Sequence, residues 1–273
     1  MIVGEYELLD LIAEGGFGKT YKAKHLELGQ LACLKHPHEM TLADEKILSQ
    51  EAQIMWNLSH HSIPAVRTLL RMPDDKLALV MSYIPGPTLT QVVEYLADKG
   101  KRLDAEDVAW ITERILNALR YIHYEGVVNG DLKPHNVILQ PGNHKAYVVD
   151  FGLSKLKPKR RSGNKGYTEF FSAPEVVAGG TILPEADFYS LGMTMIFALT
   201  GDPEKLKSKE VPVDTPDPMV RFIERLIVRN PLDRPRWPET PDQPDLWDEF
   251  KQVRIDSFGD SRSHLKQIEG PWS

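Results

Sequence analysis

Residues 129–136, which read NGDLKPHN, decide the fold together with DFG at residues 150–152 and APE at residues 173–175. Short apolar runs at 137–139 and 146–149 predict two short strands around this turn. An Asp or Asn before a strand is more often a turn former than a metal ligand, so no single residue here identifies a site. The interpretation therefore depends on the order and spacing of the whole set.

A glycine-rich turn, AEGGFG at residues 13–18, lies between predicted strands at 5–11 and 20–25. Glycines let backbone N–H groups approach phosphate oxygens without an intervening Cβ atom. The turn does not open a helix, which disfavours a dinucleotide-binding interpretation. Taken alone, this glycine-rich sequence is explained equally well by a plain tight hairpin.

A lysine and a glutamate follow this turn in a pattern that predicts a buried ion pair. Lys35 ends a predicted third strand at 30–35, and Glu51 lies on the apolar face of a predicted helix at 41–58. Thr41 is a suitable N-cap for that helix. A carboxylate on an inward face needs a cation as partner.

The rest of the chain predicts more strands first and then mostly helices. Strands at 66–71 and 76–83 precede the breaker IPGP at 84–87, which is the candidate hinge. Helices are predicted at 104–124, 185–199 and 216–229, and the apolar composition of the second of these predicts a buried helix.

Composition narrows the function classes. The 273 residues are 41% hydrophobic with a net charge of −6, which argues against a general nucleic-acid binder. Cys33 is the only cysteine, so an intrachain disulfide or a cysteine-based zinc site is excluded. No signal peptide or bilayer-length apolar run occurs, and we expect a soluble, cytoplasmic protein with no membrane segment. Four of the nine histidines, His36, His38, His60 and His61, are expected in solvated turns rather than in a metal cluster.

The ordered set resembles the eukaryotic-type (Hanks-type) protein kinase family, from the glycine-rich turn to DRP at 233–235. The resemblance implies an α+β, bilobal fold. It implies a small β-rich N-lobe with one helix at 1–84 and a larger, mainly helical C-lobe at 85–236. A C-terminal tail at 237–273 is expected to be either packed or loose. The compact second lobe is typical of bacterial members.

The resemblance also implies ATP and Mg²⁺ as cofactors. Lys35 is expected to contact the α- and β-phosphates, held by Glu51, while Asn136 and Asp150 ligate magnesium. Asp131 is expected to accept the proton of the attacking hydroxyl. Further implied residues are Lys133 at the transferred phosphoryl group, the structural group Glu175, Arg234 and Asp187, and the nucleotide contacts Ala13, Gly15, Gly16, Phe17, Gly18, Thr20, Cys33, Met81, Ser82 and Tyr83.

The sequence departs from the family pattern at the catalytic loop, where His-Arg-Asp is Asn129-Gly130-Asp131. In the family the arginine binds a phosphate on the activation segment, which Gly130 cannot do, so activity is expected not to require that phosphate. The stretch between the predicted buried helix at 185–199 and Arg234 is short, so the helix that often docks substrates in the family is expected to be truncated or missing. The basic activation segment predicts either a solvated loop or a peptide-recognition or autoinhibitory role, to which acidic substrate residues are suited. Its cations are Lys155, Lys157, Lys159, Arg160, Arg161 and Lys165.

Three functions are compatible with these residues. The first is phosphorylation of serine or threonine on proteins, including the chain itself, because Lys133 and Thr168 resemble the Ser/Thr branch. The second is a small-molecule kinase of the aminoglycoside or choline type, in which glycine often precedes the catalytic aspartate. The third is a nucleotide-binding pseudokinase that acts as a scaffold. Expected partners are protein substrates and a regulatory partner on the activation segment or the tail, without nucleic acid.

Overall fold

The computed structural model describes residues 1–15, 18–38, 41–158, 168–240, 243–260 and 270–272. The chain divides into two compact units, Met1–Pro85 and Gly86–Ser273. Some residues of the sequence predictions lie outside the described ranges: Gly16, Phe17, Lys159, Arg160, Arg161, Ser162 and Lys165.

The first unit contains a six-stranded antiparallel sheet and one helix. Its strands are β1 Ile2–Val3, β2 Tyr6–Gly15, β3 Gly18–His25, β4 Leu31–His36, β5 Val66–Arg71 and β6 Leu77–Ser82. Their order across the sheet is β1-β2-β3-β4-β6-β5. The helix, α1, spans Leu42–Trp56 between β4 and β5. The sheet therefore adds each strand beside its sequence neighbour, except at the crossover made by α1.

Buried aliphatic side chains on these strands form the core of the unit, including Leu8, Ala23, Leu34 and Val80. Thr41 caps α1 as predicted, because its side chain accepts the Asp44 N–H at 3.2 Å. The helix ends two residues earlier than the predicted end at residue 58.

The second unit is mainly helical. Its helices are α2 Leu89–Ala97, α3 Ala105–Tyr124, α4 Pro174–Val177, α5 Pro184–Thr200, α6 Pro203–Ser208, α7 Asp217–Leu226 and α8 Leu246–Phe258. Its strands are β7 Val127–Val128, β8 Val137–Gln140, β9 Lys145–Val148 and β10 Lys155–Leu156. β8 pairs with β9, and β7 pairs with β10, both antiparallel. Three-residue 3-10 turns occur at Pro134–Asn136, Pro141–Asn143 and Pro231–Asp233.

Helix α5 lies at the centre of this unit. Every residue from Ala186 to Leu199 is buried, which confirms the predicted buried helix. It packs against α3 and α7, and α3 buries an apolar face that includes Val108, Ile111, Ile115, Leu119 and Ile122. A polar side chain projecting from α5 is therefore held rigidly and away from water.

The segment after residue 237 contains a helix that the sequence analysis did not identify. α8 packs against α3 and α7, with Leu246 and Phe250 buried and Phe250 in ring contact with Phe222. Asp245 and Asp248 form a reciprocal capping box at its start. Residues 246–258 are thus packed rather than loose.

The helix expected to be truncated or missing between α5 and Arg234 is short. Residues 201–216 contain only the six-residue helix α6. Within the described ranges, no helix combines the length and apolar character that crossing a bilayer requires.

Candidate active site

A buried carboxylate on α5 fixes the turn that carries Asp131. The Asp187 side chain is fully buried and accepts the backbone N–H groups of Asn129 and Gly130, each at 2.8 Å. Its Oδ2 atom also lies 2.8 Å from Nε2 of His123 on α3. Hydrogen bonds to an ionised acceptor are about twice as strong as neutral ones, so this contact anchors the catalytic turn firmly.

Asn129 links Asp131 to Asp150 through its side chain. Its Oδ1 accepts the Asp131 N–H at 3.1 Å, and its Nδ2 donates to the Asp150 carbonyl at 3.2 Å. Its own carbonyl accepts the Ser154 hydroxyl at 3.0 Å, and the residue has no exposed surface. From the sequence alone, Asn129 is only the residue that replaces the family's histidine. The structure shows a bridge between the two acidic segments, which makes Asn129 a functional residue that the analysis missed.

Gly130 has a conformational reason to be glycine. Its φ of +76° lies in the left-handed region, and a Cβ atom there would lie 3.3 Å from the Leu153 carbonyl oxygen. The sequence analysis considered only the missing arginine side chain. Here the backbone turn required by Asp187 is also one that glycine adopts without strain.

Asp131, Lys133 and Thr168 form a compact polar cluster. Lys133 Nζ donates to Asp131 Oδ2 at 2.7 Å and to Thr168 Oγ1 at 2.9 Å. The Thr168 hydroxyl donates to Asp131 Oδ1 at 2.6 Å. Asp131 is 7% exposed, so its carboxylate is positioned by partners rather than by solvent. The cluster holds an ionised acceptor, a cation and a hydroxyl within hydrogen-bond reach of one another.

Asn136 and Asp150 carry the oxygen atoms suited to a divalent cation. Asn136 Nδ2 donates to the Asp131 carbonyl at 2.9 Å and to Asp131 Oδ2 at 3.2 Å, so Oδ1 is the atom of this side chain suited to a cation. The Val149 N–H donates to the Asn136 carbonyl at 2.9 Å, so the two segments are tied by backbone as well. Carboxylate and carboxamide oxygens are the hard ligands that Mg²⁺ prefers, and the donor set fits that ion.

In the first unit, Lys35 and Glu51 form the ion pair that the sequence predicts. Lys35 Nζ lies 2.9 Å from both carboxylate oxygens of Glu51, whose side chain is 1% exposed. The pair joins β4 to α1. Because removal of one partner of a buried pair leaves an uncompensated charge, the position of Lys35 depends on Glu51.

The predicted nucleotide contacts of the strands share one face of the sheet. Thr20 is opposite both Ala13 and Lys35 in the strand register, and Cys33 is opposite Met81. Cross-strand partners point the same way, as do residues two apart in one strand, so these side chains lie on the face that carries Lys35.

Ser82 is the last residue of β6, and its backbone N–H donates to the Ala65 carbonyl oxygen at 2.8 Å. The Ser82 N–H group is therefore already engaged within the first unit. Tyr83 follows and its ring contacts the Lys22 ammonium at 5.5 Å.

The glycine-rich turn joins β2 to β3, with Gly15 opposite Gly18. Gly18 has φ +133°, and a Cβ there would collide with the His36 carbonyl oxygen. Around Gly15 a Cβ would meet nothing within 4 Å. The two glycines therefore differ. The fold excludes a Cβ atom at residue 18, whereas a Cβ atom at residue 15 would lie in open space.

Separate contacts are made by the histidines that could have formed a metal cluster, His36, His38, His60 and His61. His38 Nε2 donates to the Gly15 carbonyl at 2.7 Å, and His36 stacks on Tyr21 with ring centroids 5.7 Å apart. His60 and His61 lie ring to ring. Among the described residues, no group of three or more His, Cys, Asp or Glu side chains has the arrangement of a metal site.

Arg234 forms the structural link expected with Glu175. Its guanidinium makes a bidentate contact with the two carboxylate oxygens at 2.6 and 2.8 Å. The remaining N–H groups donate to the carbonyl oxygens of Val228, Arg229 and Glu185. The side chain has no exposed surface, so this fully satisfied guanidinium joins α4, α5 and the segment after α7.

Comparison with known proteins agrees with this geometry. Residues 6–244 match the protein kinase domain family, and the chain belongs to that family. It is 30% identical to Misshapen-like kinase 1 of Rattus norvegicus over 92% of the chain and 21% of that protein. It is 27% identical to Serine/threonine-protein kinase pkn3 of Myxococcus xanthus over 86% of the chain and 48% of that protein. Serine/threonine-protein kinase D of Synechocystis is 28% identical over 73% of the chain and 41% of that protein.

The chain spans between about a fifth and a half of the length of these relatives. It is a protein kinase domain with the predicted mixed α+β architecture, and its curated relatives include bacterial Ser/Thr protein kinases.

Proposed function

We propose that this chain transfers the γ-phosphoryl group of ATP to serine and threonine hydroxyls of proteins, including its own. The observation that carries the proposal is the hydrogen bond from the Thr168 hydroxyl to Asp131 Oδ1 at 2.6 Å. This contact supports the proposal, because a side-chain hydroxyl of the substrate type lies within hydrogen-bond reach of the carboxylate that would receive its proton.

In the proposed reaction, the acceptor oxygen forms a bond to the γ-phosphorus as the bond from that phosphorus to the β,γ-bridging oxygen breaks. Asp131 receives the hydroxyl proton and orients the hydroxyl in line, and ADP leaves. Lys133 lies 2.7 Å from Asp131 Oδ2, where its ammonium stabilises negative charge on the transferred group.

Asn136 Oδ1 and the Asp150 carboxylate would hold Mg²⁺, which supplies charge neutralisation at the phosphates when bound. Lys35, oriented by Glu51, would contact the α- and β-phosphates. We assign the remaining nucleotide contacts to the face and turn that the sequence predicted: Ala13, Gly15, Gly16, Phe17, Gly18, Thr20, Cys33, Met81, Ser82 and Tyr83. The cytoplasm is the proposed location, since a single reduced cysteine suits it.

The features around Asp131 favour a protein acceptor over a small molecule. Small-molecule kinases of the aminoglycoside or choline type usually lack the APE segment, Lys133 and the α5 aspartate. In this chain Arg234 fixes the APE glutamate, and Thr168 lies in the segment just before it. A peptide acceptor is thus offered an ordered surface next to the carboxylate.

The test is intact-mass spectrometry of the purified chain after incubation with Mg-ATP, with serine/threonine peptides, choline or kanamycin as added acceptors. We expect added phosphate on the chain and on the peptides, located on Ser or Thr, and none for the Asp131→Asn variant. Transfer to choline or kanamycin alone would establish the small-molecule alternative. Nucleotide binding without any transfer would establish the pseudokinase alternative.

A further inference from the structure

Trp237 lies beyond the last kinase motif, yet its side chain reaches into the helical core. Its indole Nε1–H donates to His123 Nδ1 at 2.7 Å. The indole also packs edge-on against Phe188 of α5, with ring centroids 5.1 Å apart. The sequence analysis treated this residue only as the start of the tail.

This hydrogen bond settles the state of His123. An indole N–H can only donate, so Nδ1 must be the acceptor and carries no proton. The carboxylate of Asp187 can only accept, so Nε2, at 2.8 Å, must carry the ring proton. Trp237 and Asp187 together select the neutral imidazole with its proton on Nε2. The His123 side chain is 1% exposed, so water does not compete for these two positions.

The contacts continue from Asp187 to the catalytic turn. Asp187 Oδ2 accepts hydrogen bonds from the His123 Nε2–H and from the Asn129 N–H, and Oδ1 accepts one from the Gly130 N–H. Asn129 and Gly130 immediately precede Asp131 in the chain. A change in the orientation of the Asp187 carboxylate therefore tilts the peptide units that set the Asp131 side chain.

We propose that Trp237 is a positioning residue for the catalytic loop, acting through the chain Trp237–His123–Asp187 on the backbone of residues 129 and 130. The inference rests on the proposed phosphotransfer function, which it extends to a residue outside the kinase motifs. Its physical core is the indole N–H and not the bulk of the ring. Without that donor, Nδ1 is buried and unpaired, and the imidazole no longer has one preferred orientation toward Asp187.

The decisive comparison is between Trp237→Phe and Trp247→Phe. Each change removes an indole N–H and keeps an aromatic ring. The Trp247 Nε1 atom is buried and has no hydrogen-bond partner among the described residues, so its loss is the matched control. We expect Trp237→Phe to lower kcat for peptide phosphorylation about tenfold, equivalent to ~1.4 kcal/mol, with the KM values for ATP and peptide unchanged. Trp247→Phe should leave kcat within about twofold of wild type.

Equal kcat values for the two variants, or a Trp237→Phe effect confined to KM, would overturn the inference while leaving the proposed function intact. An inactive wild-type chain would instead remove the proposed function. The two failures are therefore distinguishable.

A spectroscopic measurement on the wild-type chain gives a second readout that does not depend on activity. Histidine ¹⁵N NMR should show His123 with its proton on Nε2 and an acceptor Nδ1. A proton on Nδ1 would overturn the inference, even if Trp237→Phe does not fold.

A rescue experiment completes the design. His123→Gln keeps a donor and an acceptor at this position, whereas His123→Leu keeps neither. The inference predicts a kcat for His123→Gln at least about threefold above that of His123→Leu, and equal values would contradict it.

Discussion

The two turns that carry the kinase motifs are built in opposite ways. In the turn at 129–136, the polar groups are buried and paired: Asp187 holds two N–H groups, and Asn129 uses its N–H, its carbonyl and both side-chain polar atoms. In the glycine-rich turn, Ala13, Glu14 and Gly15 are exposed. Its described part is held by the pairing of β2 with β3, by exposed ion pairs of Glu14 with Lys19 and His38, and by the hydrogen bond from His38 to the Gly15 carbonyl.

The difference separates two physical requirements. A group that takes a proton must be fixed to within a fraction of an ångström, and a buried hydrogen-bond network provides that precision. A loop that covers phosphates must admit and release its ligand, and exposed glycines permit such movement. The comparison predicts that side-chain changes damage the first turn most, whereas of the two described glycines of the second turn, Gly15 and Gly18, an added Cβ is damaging only at Gly18.

The largest expected effect is on stability, at Gly18. Gly18→Ala places a Cβ against the His36 backbone at an unfavourable φ, and should destabilise the chain by about 3 kcal/mol or more. Gly15→Ala, where a Cβ meets open space, should change stability by less than about 0.5 kcal/mol. Urea unfolding of both variants measures this contrast, and equal losses would show that the steric account of Gly18 is wrong.

The next effect is on turnover, at Asn129. Asn129→Ala leaves the Asp131 N–H and the Asp150 carbonyl without their partner, at about 1–3 kcal/mol each. We expect kcat to fall about a hundredfold, with a smaller change in the KM for peptide. The matched control is Asn143→Ala, the same change at an exposed residue in the turn between β8 and β9. Steady-state kinetics that place both variants within threefold of wild type would break the comparison between the turns.

The smallest expected effect is that of dephosphorylation. Gly130 has no side chain to bind a phosphate, and exposed local pairs contribute only about 0–1 kcal/mol. Ordering a loop from mostly open to mostly closed needs about 5 kcal/mol. Phosphatase treatment should therefore change the initial rate by less than about fivefold, as should the form carrying Ser162→Ala and Thr168→Ser, which keeps the Thr168 hydroxyl. A large loss of rate on dephosphorylation, restored by rephosphorylation, would contradict this.

Periodicity and motif order were sufficient to predict much of the fold. Strands β2 to β6 of the first unit, the Thr41 cap and the buried α5 helix follow from local pattern, because side-chain period and capping are local properties, whereas the two-residue strand β1 was not predicted. α8 was missed because its apolar face is narrow: only Leu246 and Phe250 are buried, and charged residues surround them. The Asp245–Asp248 capping box was the available signal.

The candidate site shows a similar division. Asp131, Lys133, Asn136 and Asp150 were predicted from motifs, and the structure places them around one turn of the second unit. The contributions of Asn129 and His123 were missed because they depend on contacts between residues 21 to 114 positions apart in the chain. Such contacts have no period in the sequence, and no motif includes His123.

The most direct test of the account measures turnover and nucleotide affinity side by side in two aspartate variants. Asp131→Asn alters the position that receives the hydroxyl proton but not the metal ligands. We expect the Mg-ATP affinity to stay within about threefold of wild type and turnover to fall by about 10²–10⁴. Asp150→Asn removes a proposed metal ligand, so both the Mg-ATP affinity and turnover should fall. Wild-type turnover in both variants would contradict the assignment of this chain as a phosphotransferase that works through Asp131.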